Sequence, residues 1–342
     1  MARSISFSKK VATVAVVVIA VAGLLLQQLG ASMAQLSPAP PGTRVQVRAG
    51  ASLRSVLGAL AQVGAVRHPR LVEWYLRLHG EQLSAQAGIY ELTAQASVRE
   101  ILEQLQAGQV VLAQVTIVEG WTFAQMRQAL NASNALRHEW RGLSEVALMN
   151  ALGQPGVAAE GQFFPDTYRF AIGTSDRRIY ELALQQMSER LRQEWVAKAS
   201  GLAVTNPNAA LILASIVEKE TGREDERSKV AAVFSNRLRL GMRLQTDPTI
   251  IYGLGERYDG NLRRRDLETD GPYNSYTRAG LPPTPIALPG GASLHAVLHP
   301  ANINALYFVA TGLGDGSHHF STTYAEHNQA LREFLRRTGA GS

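Results

Sequence analysis

The longest uninterrupted hydrophobic stretch of the chain is residues 11–26, where Thr13 is the only polar residue. Three basic residues precede it: Arg3, Lys9 and Lys10. At about 1.5 Å per residue, this stretch is too short for a hydrocarbon core about 30 Å thick unless the residues up to 31 extend it. We therefore predict a cytoplasmic tail over residues 1–10 and one transmembrane helix over residues 11–31. Because basic flanks stay in the cytoplasm, we expect the rest of the chain to be exported.

A cleaved signal peptide is the alternative interpretation of the same stretch. Ser32 and Ala34 are small residues at the two positions that a signal peptidase reads. The hydrophobic stretch is longer than most signal-peptide cores, which favours a retained anchor. The chain has no cysteine, so it can carry neither a disulfide nor a cysteine-linked lipid.

A short, proline-rich linker over residues 32–43 precedes a segment whose periodicity predicts a small α+β module over residues 44–114. Two segments are predicted as strands, one in which Val45 and Val47 alternate with polar residues and one over residues 88–92. Two segments are predicted as helices, one over residues 98–105 and one that Ser52 caps. The apolar face of the capped helix consists of Leu53, Val56, Leu57 and Leu60.

The remaining residues, 115–338, contain longer amphipathic patterns that predict a larger mixed α+β domain. A strand is predicted over residues 115–119, and amphipathic helices over residues 175–198 and 225–240, the second ending at Gly241. The fold class is therefore α+β, with a single N-terminal transmembrane helix, a small module and this larger domain.

One helix of the larger domain is uncharged along most of its length and then ends in two carboxylates. Asn206 and Pro207 are typical of a helix start, and Gly222 of the residue just beyond a helix end. Glu218 and Glu220 thus lie in the last turn, where the helix dipole opposes negative charge. The pKa of a carboxyl group held there among apolar neighbours is raised, which suits a general acid working near neutral pH.

The two glutamates are predicted to face different surroundings. At 100° per residue Glu218 shares a face with small and polar residues such as Ser215, whereas Glu220 lies nearer an apolar stripe. A substrate can approach small side chains closely, so Glu218 is predicted to face a groove. Glu220 is predicted to pair internally with an arginine such as Arg227 or Arg237. The alternative is that both are solvated glutamates at a helix end.

Several strings in this domain resemble the YceG-like family of endolytic murein transglycosylases. The most specific are LASIVEKETG at residues 213–222 and GMRLQTDPT at residues 241–249. Others follow in the order of the family: EGQFFPDTY at 160–168, VFSNRL at 233–238, PYNSY at 272–276, GLPP at 280–283, HPA at 299–301, YFV at 307–309 and EHN at 326–328. The resemblance covers almost the whole chain.

The resemblance implies an enzyme that cuts the β-1,4 bond between N-acetylmuramic acid and N-acetylglucosamine within peptidoglycan strands without hydrolysis, and leaves a 1,6-anhydromuramic end. It implies Glu218 as the catalytic residue, with Glu220 and Ser215 in support and no cofactor. Polar residues expected around the sugar are Gln245, Thr246, Asp247, Asn274 and Tyr276. It further implies a LysM-like character for residues 44–114, and an inner-membrane protein whose catalytic domain is periplasmic. Penicillin-binding synthases are expected partners if the enzyme terminates nascent strands.

Histidines offer a different kind of site. His295 and His299 are spaced i, i+4, which on a helix would put two imidazoles on one face. A third ligand could come from His318, His319 or His327. The segment lacks the glutamate of a zinc-hydrolase motif and Pro300 follows His299 directly, so no metal is predicted.

Charge adds little to this interpretation. Lysine and arginine number 34 against 28 acidic residues, a net charge of +6, but the positive residues are dispersed and residues 263–265 are the only basic run. Nucleic acid is therefore not an expected partner. A non-catalytic peptidoglycan-binding scaffold for wall-synthesis enzymes remains the alternative function. A scaffold, however, would have no physical need for carboxylates at the unfavourable end of a helix.

Overall fold

The structure, a computed structural model, describes residues 2–339, with side chains from Thr13 onward. The chain forms two compact units. Unit 1 comprises the residues up to Ala113 together with Arg169–Gly173, and unit 2 comprises Gln114–Tyr168 and the residues from Thr174 onward.

Unit 1 begins with a long helix, α1 (Ala2–Ala34). Its segment Thr13–Ala34 is long and apolar enough to cross a membrane, by length and composition. The helix continues past the predicted end at residue 31, into the segment predicted as linker. Ser32 and Met33 are buried, and the Ser32 hydroxyl donates to the Leu29 carbonyl, so packing within unit 1 holds the last turn in helical form.

The rest of unit 1 is a two-stranded antiparallel sheet with three helices. The strands β1 (Arg44–Val47) and β2 (Gly88–Glu91) pair with Val45 opposite Tyr90, and the helices are α2 (Leu53–Gln62), α3 (Pro69–Leu78) and α4 (Val98–Gln106). Both predicted strands and both predicted helices are confirmed, and Ser52 caps α2 by accepting the Ser55 N–H. The helix α3 was not predicted. The inward-facing valines of β1, the apolar faces of the helices and Tyr90 form one core.

Unit 2 is mainly helical. Its helices are α5 (Phe123–Ala132), α6 (Glu145–Ala151), α7 (Asp176–Ala197), α8 (Pro207–Glu220), α9 (Glu224–Arg239), α10 (Asp247–Leu254), α11 (Arg264–Glu268), α12 (Gly291–Leu298) and α13 (Tyr324–Thr338). A two-stranded sheet pairs β3 (Leu112–Thr116) with β4 (Thr167–Ala171), and both strands cross the division between the units. A second sheet pairs β5 (Tyr307–Ala310) with β6 (His318–Ser321) in antiparallel register. The predicted strand at 115–119 is shifted, because the chain leaves the sheet after Thr116 and turns at Gly120, whose φ is +76°.

The helix α8 lies at the centre of unit 2, packed against α7, α9, α10 and α12. Its predicted start is confirmed: the Asn206 side chain accepts the Ala209 N–H at 2.9 Å, and Pro207 is the first helical residue. Its end also lies where it was predicted, just before Gly222, but the chain there does not form the expected glycine cap. The helix stops at Glu220, and the buried Thr221 is extended with φ −146°, so Gly222 does not provide a left-handed cap. The Thr221 hydroxyl accepts the Arg223 N–H, which turns the chain directly into α9.

Candidate active site

The end of α8 directs its two glutamates to different neighbours. Glu218 and Glu220 are two residues apart, which on an α-helix separates their side chains by about 200°. Glu218 contacts the backbone just before α12, whereas Glu220 contacts the start of α10. The prediction that the two glutamates face different surroundings is therefore confirmed.

Glu220 accepts a hydrogen bond from the hydroxyl of the buried Thr246. Burial, assisted by the negative charge of Asp247, raises the pKa of Glu220, against the opposing effects of the Thr246 hydrogen bond and the positive charges of His318 and Arg237. Desolvation therefore favours the protonated form of this carboxyl group at the end of α8.

The predicted internal ion pair of Glu220 is wrong. Within the part of the chain that the structure describes, neither Arg227 nor Arg237 forms a salt bridge with it. Arg237 instead donates to backbone carbonyls, at 2.6 Å to Leu306 and 2.7 Å to Leu244. Its guanidinium is thereby held on the backbone of the two loops that flank Glu220.

Glu220 borders a cavity of about 340 Å³. Four of the predicted sugar-binding residues line this cavity: Gln245, Thr246, Asp247 and Tyr276. Glu218 is not among its lining residues. The structure thus brings the residues of the LQTDPT string to Glu220, and the site that they form together has a carboxyl group with a raised pKa at its edge.

Aromatic residues also line this cavity. They are Tyr307, Phe308, Tyr324 and His327, of which His327 stacks on Tyr307 with ring centroids 5.2 Å apart. Aromatic faces beside polar groups are common in sugar-binding sites, because a pyranose ring presents an apolar face. Sequence reasoning gave these residues no role in sugar binding, although the YFV and EHN strings contain three of them.

The start of α10 has an unusual backbone. Gln245 has φ +51°, a left-handed conformation that non-glycine residues rarely adopt. Its N–H donates to the Ser275 carbonyl at 3.1 Å, which fixes the turn. Two residues later Asp247 begins the helix, and the Tyr276 hydroxyl donates to it at 2.7 Å. Strained backbone of this kind is often found at ligand-binding sites.

Two predicted site residues have their polar groups occupied by the fold. Asn274 is buried, and its amide nitrogen donates to three carbonyl oxygens, those of Asp266, Leu267 and Thr269. Ser215 is fully buried, donates to the Ile212 carbonyl and accepts the Ile286 N–H. Both side chains hold loops near α8, and neither lines the cavity beside Glu220.

Glu218 lies in a second polar cluster. It accepts the Gly290 N–H at 2.9 Å, and Glu119 lies on the other side of the same glycine. A Cβ atom at Gly290 would be 1.9 Å from the Glu119 carboxylate, so only glycine leaves room for it there. Burial and the negative charge of Glu218 raise the pKa of Glu119, and the charge of Arg227 lowers it. Sequence reasoning missed Glu119, whose only signal is the adjacent Gly-Trp turn.

The histidines that were weighed as metal ligands have other partners among the described residues. His318 lies 2.7 Å from the buried Glu226, and the ring of His327 stacks on that of Tyr307. The third residue beside His295 and His299 is Glu194, with ligand atoms all within 4.8 Å of one another. His295 pairs with Glu194 at 3.0 Å and its ring stacks on that of His299.

Comparison with known proteins identifies the family of this chain. A model of the YceG-like family matches residues 45–333, most of unit 1 beyond α1 and nearly all of unit 2. An endolytic murein transglycosylase of Bacillus subtilis (strain 168) is 30% identical over 312 residues, which cover 85% of this chain and 84% of that protein. The chain belongs to the YceG-like family.

Other YceG-like relatives agree with this assignment. The endolytic murein transglycosylase of Streptococcus pneumoniae (strain D39) is 26% identical over 324 residues, although the alignment covers only 58% of that longer protein. The crystal structure of a YceG-like protein from Listeria monocytogenes is 28% identical, with a TM-score of 0.53, and the match covers 84% of this chain and 98% of that one. The resemblance seen in the LASIVEKETG and GMRLQTDPT strings is therefore confirmed.

Proposed function

We propose that this YceG-like protein is an endolytic murein transglycosylase in which Glu220 is the general acid and base. The observation that carries the proposal is the position of Glu220 at the edge of a cavity lined by Asp247, Tyr276 and aromatic side chains, where burial also raises its pKa. The names of the Bacillus and Streptococcus relatives supply the reaction and the substrate, peptidoglycan.

One carboxyl group is enough for this chemistry. A hydrolytic glycosidase needs a second carboxylate, about 5 Å away as nucleophile or about 6.5–9.5 Å away to activate water. In a transglycosylase, protonated Glu220 gives its proton to the leaving glycosidic oxygen. The resulting carboxylate then takes a proton from the muramic C6 hydroxyl as that oxygen attacks C1. Because the attack is intramolecular it can outcompete water, and the product carries a 1,6-anhydromuramic end.

The geometry favours Glu220 over Glu218, which the family resemblance had suggested as the acid. Glu220 borders the cavity, its protonated form is favoured by burial, and the Thr246 hydroxyl orients it. Glu218 instead accepts a backbone N–H from Gly290. We assign Glu218 a supporting role, in which it holds the Gly290 backbone against the end of α8.

Asp247 is a second carboxylate beside Glu220, and a hydrolytic glycosidase uses a second carboxylate. Its negative charge contributes to the raised pKa of Glu220, so the two carboxyl groups are close enough to interact. The Tyr276 hydroxyl donates to it at 2.7 Å. We propose that Asp247, held by Tyr276, stabilises positive charge on the sugar ring during cleavage, without bonding to it.

The test is mass analysis of the glycan products released from purified peptidoglycan by the full-length protein and two variants. Glu220→Gln and Glu218→Gln are matched, because each removes one carboxylate from the same helix end. We expect internal cuts with 1,6-anhydro ends from the wild type, a loss of at least about 10²-fold in Glu220→Gln, and a smaller loss in Glu218→Gln. The reverse ranking would return the catalytic role to Glu218. Reducing ends that carry added water would indicate a hydrolase, and no cleavage by any of the three would favour the scaffold.

The cellular setting is also proposed. The apolar helix α1 would anchor the enzyme in the inner membrane, with unit 2 and the part of unit 1 beyond α1 in the periplasm. Unit 1 has the order strand, two helices, strand, and we propose that it binds glycan as a LysM-like module. Cutting of nascent strands beside a penicillin-binding synthase would set glycan length. Measuring glycan length in cells that carry Glu220→Gln tests this role: unchanged strand length would refute it.

A further inference from the structure

The helix α3 of unit 1 has an exposed face that combines a tryptophan, a leucine and two arginines. Trp74 is 60% exposed and Leu78 59% exposed. Arg70 and Arg77 are exposed as well, and the spacing of these four residues puts them on one side of the helix. The opposite side of α3 contributes Val72 and Leu76 to the core of unit 1. Exposed apolar side chains that adjoin one another beside polar residues are typical of interaction sites.

The end of the proposed anchor lies directly against this helix. α1 packs on α3 and α4, and its residues Leu29, Ser32 and Met33 are buried within unit 1. These three residues therefore cannot face lipid, although they belong to the segment long enough to span a membrane. The chain beyond α1 adds another exposed apolar side chain, Leu36, which is 59% exposed.

The length of α1 that is free to span the bilayer determines how close the rest of unit 1 lies to the membrane. Residues 11–28 form about 27 Å of helix at about 1.5 Å per residue, against a hydrocarbon core of about 30 Å. A hydrophobic stretch slightly shorter than the core thins the bilayer around it and leaves the residues that flank it at the interface. The part of unit 1 that packs on the end of α1, which includes α3, then lies at the level of the lipid headgroups.

We infer that the α3 face formed by Arg70, Trp74, Arg77 and Leu78 is a membrane-contact surface that lies in the headgroup region of the bilayer. The inference rests on the proposed anchoring by α1. Tryptophan is favoured at this depth because its ring is apolar and its indole N–H is polar, and arginine reaches anionic phosphate groups. Contact at α3 would add a second attachment beside the anchor and so restrict the orientation of unit 1 on the membrane.

The test uses the full-length protein reconstituted in vesicles of phosphatidylethanolamine and phosphatidylglycerol, with lipids brominated near the headgroup as fluorescence quenchers. Trp74 is the only tryptophan of unit 1, since the other three, Trp121, Trp140 and Trp195, belong to unit 2. We expect brominated lipid to quench the wild type, and Trp74→Phe to lose at least half of that quenching. Trp195→Phe is the matched control and should retain it.

Flotation of the vesicles after alkaline carbonate washing tests the anchoring by α1 separately from the membrane contact at α3. If the protein does not float, α1 is not an anchor, and both the anchoring and the α3 contact are refuted. Protein that floats, but whose bromine-dependent quenching is the same in the wild type and Trp74→Phe, overturns the inference alone. If soluble glycan changes the emission of Trp74 and brominated lipid does not quench it, the α3 face binds sugar and not lipid.

Discussion

Replacement of Glu160 by glutamine should remove a large pH dependence from the stability of unit 2. Glu160 is 6% exposed and accepts two hydrogen bonds, from the Phe123 N–H at 3.0 Å and the Tyr252 hydroxyl at 3.1 Å. Burial nevertheless dominates and raises its pKa from 4.5 to about 7. Glutamine is isosteric with the protonated acid, accepts the same backbone N–H and carries no charge at any pH.

The sign and size of the effect follow from proton linkage. Between pH 4.5 and about 7 the folded protein binds the Glu160 proton more tightly than the unfolded chain, so stability falls as pH rises through this window. A shift of this size, at 1.36 kcal/mol per pKa unit, corresponds to about 3 kcal/mol. We expect Glu160→Gln to gain about that much stability relative to the wild type between pH 4.5 and pH 8.5.

The assay is urea unfolding of both proteins at each pH, followed by tryptophan fluorescence. A Trp74→Phe background leaves Trp121, Trp140 and Trp195 as reporters, all in unit 2, so the unfolding of unit 1 does not enter the signal. Comparing the two proteins at each pH cancels the contributions of other titrating groups. A difference in unfolding free energy that is the same at pH 4.5 and pH 8.5 would refute the assignment of a raised pKa to Glu160.

Three further substitutions test other parts of unit 2. Thr246→Val removes a hydrogen bond that lowers the pKa of Glu220, so this pKa should rise and the basic limb of the pH–rate profile should move to higher pH; a limb that does not move would show that Glu220 does not control the rate. Gly161→Ala should lower the free energy of unfolding by about 2–4 kcal/mol, because φ is +79° and the new Cβ would lie 2.4 Å from the Pro285 ring; thermal unfolding measures this. Asn206→Ala should cost about 1 kcal/mol by removing the cap of α8, while Asn206→Ser retains it; equal melting temperatures for the two would contradict the capping role.

Local patterns along the sequence determined most of the elements that were predicted. The strand at Val45 and Val47, the Ser52 cap and the Asn206–Pro207 start all depend on residues close together in the chain, and each is confirmed. The elements that were missed include α3, whose exposed face mixes arginines with large apolar side chains. Its exposed Trp74 and Leu78 obscure the helical pattern.

Which of the two glutamates borders the cavity could not be predicted from local patterns. Helical periodicity correctly put Glu218 and Glu220 on different faces, but which face borders the cavity depends on where the loop of residues 241–249 packs. That loop reaches Glu220 through a hydrogen bond from Thr246, across 26 positions of sequence. Likewise, Gly290 and Glu119 reach Glu218 from 72 and 99 residues away, and no local pattern encodes such contacts.

The sequence by itself determined the family, the helix that ends in two carboxylates, and the apolar N-terminal stretch, because motif strings, capping residues and hydrophobic periodicity are local properties. Tertiary structure decided which carboxylate borders the cavity, which polar side chains hydrogen-bond to the backbone, and which residues of α1 are buried by the rest of unit 1. These depend on burial. The desolvation that raises the pKa of Glu220, and the packing that withdraws Leu29 and Met33 from lipid, arise only when distant segments exclude water together.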